Sequence, residues 1–282
     1  MIVTENIIYR IRYYLCTLLP QLFRVSFFRM LFIVVVAGSG LFTVRPIHAA
    51  GRQFDWSEWD RILHSYVATG TNQGITSNLV DYQSLSTDRD FYKIARALQQ
   101  YNPASLGGNE KKAFYINAYN YFAVNLVVSH WPVNSIRDIG NLFWPVWYRD
   151  AGKINNQNIS LNEIENDILR PMHDPRIYFA IVCASMSCPN LRKEAYDSQR
   201  LDEQLADQIT ELMASQDKGI RIHDGKVTIS SLFEWYEGDF DDQGGVIGFL
   251  RRYSQIPPEI TRVEYLPYNW HVNAQTHSRP TH

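Results

Sequence analysis

Any fold for this chain has to accommodate NEKKAFYINAYNYFAVNLVVSHW, residues 109–131, which predicts a helix of about six turns stopped by Pro132. Within its apolar and aromatic run stand Asn117 and Asn120, three apart and so on one side of the helix. Asparagine is a poor helix former, and a buried carboxamide without partners costs roughly 2–7 kcal/mol, depending on the reference state. Two of them therefore imply partners. Either they hold the backbone of a neighbouring loop, or they line a site and orient a ligand; the first reading ranks ahead and the second stays open.

Shorter elements surround this helix. Spacings of three and four predict helices at 54–67 and 90–101, and NLVDYQSL (78–85) reads as a short extended segment. Gly152 and the Asn155-Asn156 pair suggest hairpin turns, and Asp224-Gly225 lies between two short strands at 219–229. Ser160 followed by Glu163 is a capping signature for a short helix ended by Pro171. RIYFAIVCA (176–184) is continuous, apolar and of strand length, so a buried strand is expected there. Leu201, Leu205, Ile209 and Leu212 share one helical face, and LFEWYEGDF and GGVIGFLRRYS add two short helices. The expected fold class is α+β, a helix-rich single domain with a small sheet over 54–273, then a flexible tail at 274–282.

The first fifty residues read differently. Arg10, Arg12, Arg24 and Arg29 precede LFIVVVAGSGLFTV (31–44), and Ile47 and Ala49 form a small-residue cleavage site. The apolar run is shorter than the roughly 20 residues of a membrane span. Residues 1–50 are therefore expected to be a secretory signal cleaved near Ala49 or Ala50. A start at Met30 and an uncleaved anchor are the competing readings. The expected location is exported, periplasmic in a Gram-negative source.

Export bears on the cysteines. Cys16 lies in the leader, so the remainder keeps only Cys183 and Cys188 in CASMSCP (183–189). In an oxidising compartment such a pair can form a disulfide. Five extended steps would part the two Cα atoms by about 17 Å, so the loop must double back to reach the roughly 4.4–6.8 Å that a bridge needs. The closed loop is short, and its chain-entropy gain is about 2 kcal/mol. Alternatively, Cys188 ahead of Pro189 would cap a helical turn, and the helix dipole with Arg192 would bias it toward thiolate. Cys188 is thus the candidate nucleophile. None of His64, His130, His173, His223 and His271 has a context that marks it as its base.

Other chemistries find less support. The net charge of −2 argues against a broad grip on nucleic acid, and no Cys or His pair has metal-ligand spacing. DFDDQG (239–244) starts like a calcium loop, but its twelfth position is Leu250 rather than glutamate. The aromatic run LFWPVWY (142–148) reads as packing first and as a sugar or peptide platform second. No cofactor is expected, and membrane contact only through an uncleaved leader.

VDYQSL, KKAFYINAYNYFAV, SLNEIENDILR, RIYFAIVCASMSCPNLR, LFEWYEGDF and YLPYNWHVN, in this order, resemble the domain-of-unknown-function 547 family across nearly all of residues 55–273. The resemblance implies a shared fold more than a reaction. Family members often carry histidine where this chain has Asn166 and Tyr178, and aspartate where it has Asn269. A Cys–His–Asp site built on Cys188 would lack much of itself here. The expected functional surface is therefore Asn117, Asn120, Ser187, Cys188 and Arg192, binding a small polar or peptide ligand. The alternatives are a thiol-dependent hydrolase or transferase using Cys188, and a non-enzymatic envelope interaction module with structural cysteines.

Overall fold

In the computed structural model, residues 53–223 and 226–276 are described. The leader and its cleavage site, the Asp224-Gly225 turn and the last six residues of the tail lie outside them. Among the described residues no helix is long and apolar enough to cross a membrane.

The chain forms helix α1 (Ser57–Tyr66) and an antiparallel hairpin of β1 (Val67–Asn72) and β2 (Ile75–Val80). The short α2 (Tyr82–Leu85), α3 (Phe91–Gln100) and the long α4 (Gly108–Ser129) follow. Helix α4 is buried from Ala113 almost to its end, because apolar and aromatic side chains cover its whole circumference. Other elements pack around it. Tyr121 meets Trp59 of α1 and Phe91 of α3, and its hydroxyl donates to the Phe91 carbonyl at 3.1 Å.

A second hairpin, β3 (Asp150–Ile154) and β4 (Gln157–Ser160), lies against α4. At Gly152 a Cβ would stand 2.1 Å from the Phe122 ring, so only glycine allows this approach. Asn155 and Asn156 take the left-handed conformation in its turn. Their N–H groups donate to Leu98 and Gln99, which satisfies carbonyls at the end of α3. The capping signature is realised reciprocally: the Glu163 N–H donates to Ser160 Oγ, and the Ser160 N–H to Glu163 Oε2. The helix it opens has π geometry over Glu163–Leu169.

The strand expected at 176–184 does not form. Pro175–Phe179 is a 3-10 turn, and the residues after it run irregularly. A side chain of α4 takes up two of their backbone groups in place of a sheet: Asn120 accepts from the Val182 N–H and donates to the Ala180 carbonyl, both at 2.9 Å. That side-chain alternative frees a continuous apolar run from needing a ladder.

Helix α5 (Leu201–Ala214) leads to β5 (Ile220–His223) and β6 (Lys226–Ile229), which pair antiparallel; β7 (Glu264–Tyr265) joins β6 in parallel. Between them α6 (Leu232–Trp235), a 3-10 segment and α7 (Gly245–Tyr253) bring Phe233 and Phe249 onto Phe179, with Phe240 packed on both. Among the described residues the strands thus form three small sheets of two, two and three strands, not one. The result is a single α+β domain.

The C-terminal segment closes the structure. Val80 donates to Asn273 and Gln275 to Val80, so the expected tail begins in a bridge to β2. On its other side Val272 bridges Ser185. Residues 269–273 therefore thread between β2 and the cysteine loop.

Candidate functional site

The cysteine loop is built by three supports. From α4, Asn120 fixes the backbone immediately before Cys183. Asn117 does the same for the segment after the loop, accepting from the Tyr196 N–H and donating to its carbonyl, both at 2.8 Å. Both carboxamides are thus brackets for loop backbone. Replacing Asn120 with alanine strands a buried N–H and a buried carbonyl. A loss of about 2–4 kcal/mol is expected in chemical denaturation, since each orphaned group costs roughly 1–3 kcal/mol. A loss below about 0.5 kcal/mol would contradict the bracket role.

The second support is the C-terminal segment. Met186 N–H donates to His271, Ser187 N–H to Asn269, and Asn269 N–H returns a 2.8 Å bond to Ser187 Oγ. The third is Lys218, almost fully buried, whose Nζ donates to the Cys188 carbonyl, Ser77 Oγ and Asn190 Oδ1 at 2.6–2.8 Å. No helix follows Pro189, residues 189–192 being irregular, so Cys188 is not a helix cap. The dipole expected to activate Cys188 is absent.

The loop doubles back as the disulfide reading requires. Ala184 takes the left-handed conformation at φ 56°, unusual for a residue with a Cβ and costing about 1–3 kcal/mol. Both thiols are free, and their sulfurs lie 2.9 Å apart. Cys188 is buried and Cys183 partly exposed. The Cys183 N–H points at Cys188 Sγ at 2.9 Å, and Cys183 Sγ has Ser185 Oγ at 3.0 Å and the Tyr268 hydroxyl at 3.1 Å.

This arrangement separates the two thiols electrostatically. Burial pushes the Cys183 thiol up, but hydrogen bonds to Cys188, Ser185 and Tyr268 outweigh it and hold the group down to about 7. Cys188 is pushed the other way, by burial and then by the hydrogen bond and charge of Cys183. Burial and the neighbouring thiolates also raise the Tyr268 hydroxyl, which stays a proton donor. Burial lowers the Lys218 ammonium to about 8, against the pull of the thiolates.

Beside the loop lies a second buried polar group. Glu165, on the π-helix, accepts from the hydroxyls of Tyr119 and Tyr236; burial raises its carboxyl although both hydrogen bonds act against that rise. Tyr178 stacks on Tyr236 and donates to Asp239, which also pairs with Arg170.

Of the residues expected to form a functional surface, Ser187 and Cys188 share the loop, and Asn117 and Asn120 lie beneath its flanks. Arg192 stands apart. It pairs with Glu194 and Asp207 and lines an open cleft of about 360 Å³ with His64, Thr69, Asn78 and Glu211, which contains neither cysteine. Tyr268, Ser185 and Lys218 were not anticipated; no spacing distinguishes them from surface or packing residues. Among the described residues no group of three His, Cys, Asp or Glu side chains is placed to hold a metal ion.

Residues 103–212, which contain α4, the π-helix and the cysteine loop, match the family described as Protein of unknown function, DUF547. No curated protein and no solved structure matches the chain.

Proposed function

We propose that this member of a family without an assigned reaction exchanges disulfides, its Cys183–Cys188 pair cycling between dithiol and disulfide against a thiol or disulfide ligand, small or peptide. One observation carries the reading: the sulfur of Cys183, the more exposed residue of the two, has a lowered pKa and stands 2.9 Å from the Cys188 sulfur, whose pKa is raised. That is the division of labour between an attacking and a resolving thiol.

The chemistry balances without a metal or cofactor. The Cys183 thiolate attacks one sulfur of a ligand disulfide, forming a mixed disulfide and releasing the other half as a thiolate that takes a proton from solvent. Cys188 then loses its proton and attacks Cys183 Sγ, which releases the second half as a thiol. Two protein thiols are oxidised and one ligand disulfide is reduced. Closing the bridge moves the sulfurs from 2.9 Å to the bonded separation of about 2.05 Å, a shift the doubled-back loop already anticipates. A hydrolase reading fits less well, because the sulfurs bond to each other, Ser185 and Tyr268, with no histidine among these partners. The export proposed from residues 1–50 would deliver the domain to a compartment where disulfides persist.

Equilibration in glutathione buffers of graded potential tests this. A single two-electron transition should remove two hydrogens from the protein and protect both thiols from alkylation together. Two thiols that stay alkylatable under oxidising buffer would sink the proposal and leave the pair as packing.

A further inference from the structure

An aromatic row leads outward from the Cys183 sulfur. Tyr268, whose hydroxyl is 3.1 Å from that sulfur, has its ring 4.5 Å from Trp270 and 4.7 Å from Trp235. Trp235 and Trp270 stack at 5.6 Å, and Trp270 reaches Trp147 at 6.2 Å. Trp144 and Phe143 stand three and four residues before Trp147 on the same loop and are 56% and 80% exposed, and Trp235 is 37% exposed.

The loop presenting them is held. Asn141 Oδ1 accepts from the Phe143 and Trp144 N–H groups, and the Asn141 N–H donates to the Trp144 carbonyl. Large aromatic rings fixed in solvent at the end of a row are costly to leave uncovered, and aromatic anchors of this kind dominate binding surfaces. The Arg137 guanidinium over Trp270, 5.1 Å from its ring, adds a cation to an otherwise apolar track.

We propose that this row is the docking track for an extended polypeptide whose apolar or aromatic side chains flank a disulfide, presenting that disulfide to Cys183. This inference rests on the exchange reading and names its substrate class. A small disulfide needs access to one sulfur and gains nothing from rings several residues away. A polypeptide disulfide has side chains on either side of its cystine, and these can lie along the Tyr268, Trp270 and Trp147 rings toward the loop that carries Trp144. Continuity of the row with the reactive sulfur favours a polypeptide over a lipid surface, which would need no path inward.

The test compares the wild-type chain with a Phe143→Ser, Trp144→Ser double variant, both positions being exposed and outside the thiol site. Two disulfides are offered to the reduced proteins: cystamine, and a cystine-bridged peptide with leucine and phenylalanine beside each half-cystine. In this single-turnover exchange the variant should lose at least about 10-fold in the second-order rate constant for oxidation by the peptide, as truncation of an aromatic anchor does, and keep that for cystamine within about 2-fold. Binding of a serine-for-cysteine version of the labelled peptide, followed by fluorescence anisotropy, should weaken by a similar factor. Equal losses on both disulfides, or none on either, would overturn the docking track. Should wild type bind the serine peptide yet exchange neither disulfide, the exchange reading falls and the track stands. Should it exchange cystamine but bind no peptide, the track alone falls. A variant that loses phosphatidylcholine-vesicle binding with the rate of peptide exchange intact would make the surface a lipid contact, and the polypeptide assignment wrong.

Discussion

Cys183→Ser should abolish disulfide exchange, whereas Cys188→Ser should stop it at a trapped mixed disulfide visible by mass. The asymmetry follows from the loop. Cys183 is the more exposed residue of the pair, and hydrogen bonds to Cys188, Ser185 and Tyr268 hold its thiol down to about 7, so it carries substantial thiolate at neutral pH. Cys188 is buried and pushed up, so it attacks only once a sulfur has been delivered beside it. Iodoacetamide should accordingly modify one cysteine first, with a rate midpoint near pH 7 rather than the free-thiol value of about 8.5. Cys188 is the first hydrogen-bond partner of Cys183, so Cys188→Ser should also change that midpoint, and Tyr268→Phe should raise it. Modification of Cys188 before Cys183 would reverse the assignment and restore the candidate first read from CASMSCP.

That reversal between the two cysteines shows where sequence reading stops. Several local signals held: Ser160 and Glu163 cap each other, Asn155-Asn156 makes its turn, and Pro132 follows closely after α4 ends, whereas the helix start read at Pro189 did not form. The apolar run at 176–184 misled because its partner is distant in sequence. A continuous hydrophobic stretch satisfies its backbone either in a sheet or on buried carboxamides, and only the position of Asn120 distinguishes the two. The same run would have placed Cys183 inside a strand and left Cys188 on a helix end; without strand or helix, exposure and pKa exchange between them. Asn117 and Asn120 were legible as needing partners, and the ranking of backbone over ligand fits their bonds. Lys218, Ser185 and Tyr268 lie 30, 3 and 80 residues from Cys188 in the chain, and no periodicity links them to it.

Lys218→Met should cost stability and shift thiol reactivity together, with a pH signature of definite sign. In the folded protein the ammonium is almost fully buried and serves the Cys188 carbonyl, Ser77 and Asn190; removal leaves these acceptors a donor short. Hydrogen bonds to charged groups contribute about 1.5–3 kcal/mol each, offset here by the cost of burying the charge, so a net loss of about 2–4 kcal/mol at pH 7 is expected. Burial lowers the folded-state group to about 8 from 10.5. Between those values the unfolded chain binds more protons than the folded one, so this lysine makes stability rise with pH across that window. Below pH 8 its charging penalty is fully present; above 10.5 it is fully relieved, a change of about 3 kcal/mol at roughly 1.4 kcal/mol per pH unit. Groups that do not interact with Lys218 cancel in the difference, so the wild-type advantage over Lys218→Met should widen between pH 8 and 10.5 in urea titrations. Negative charge at the cysteine pair raises the lysine, so by reciprocity the lysine favours the Cys183 thiolate, and Lys218→Met should move the Cys183 alkylation midpoint upward. A stability difference flat across this window would mean that Lys218 keeps its proton at an ordinary pKa, and an unmoved midpoint would remove it from the thiol site.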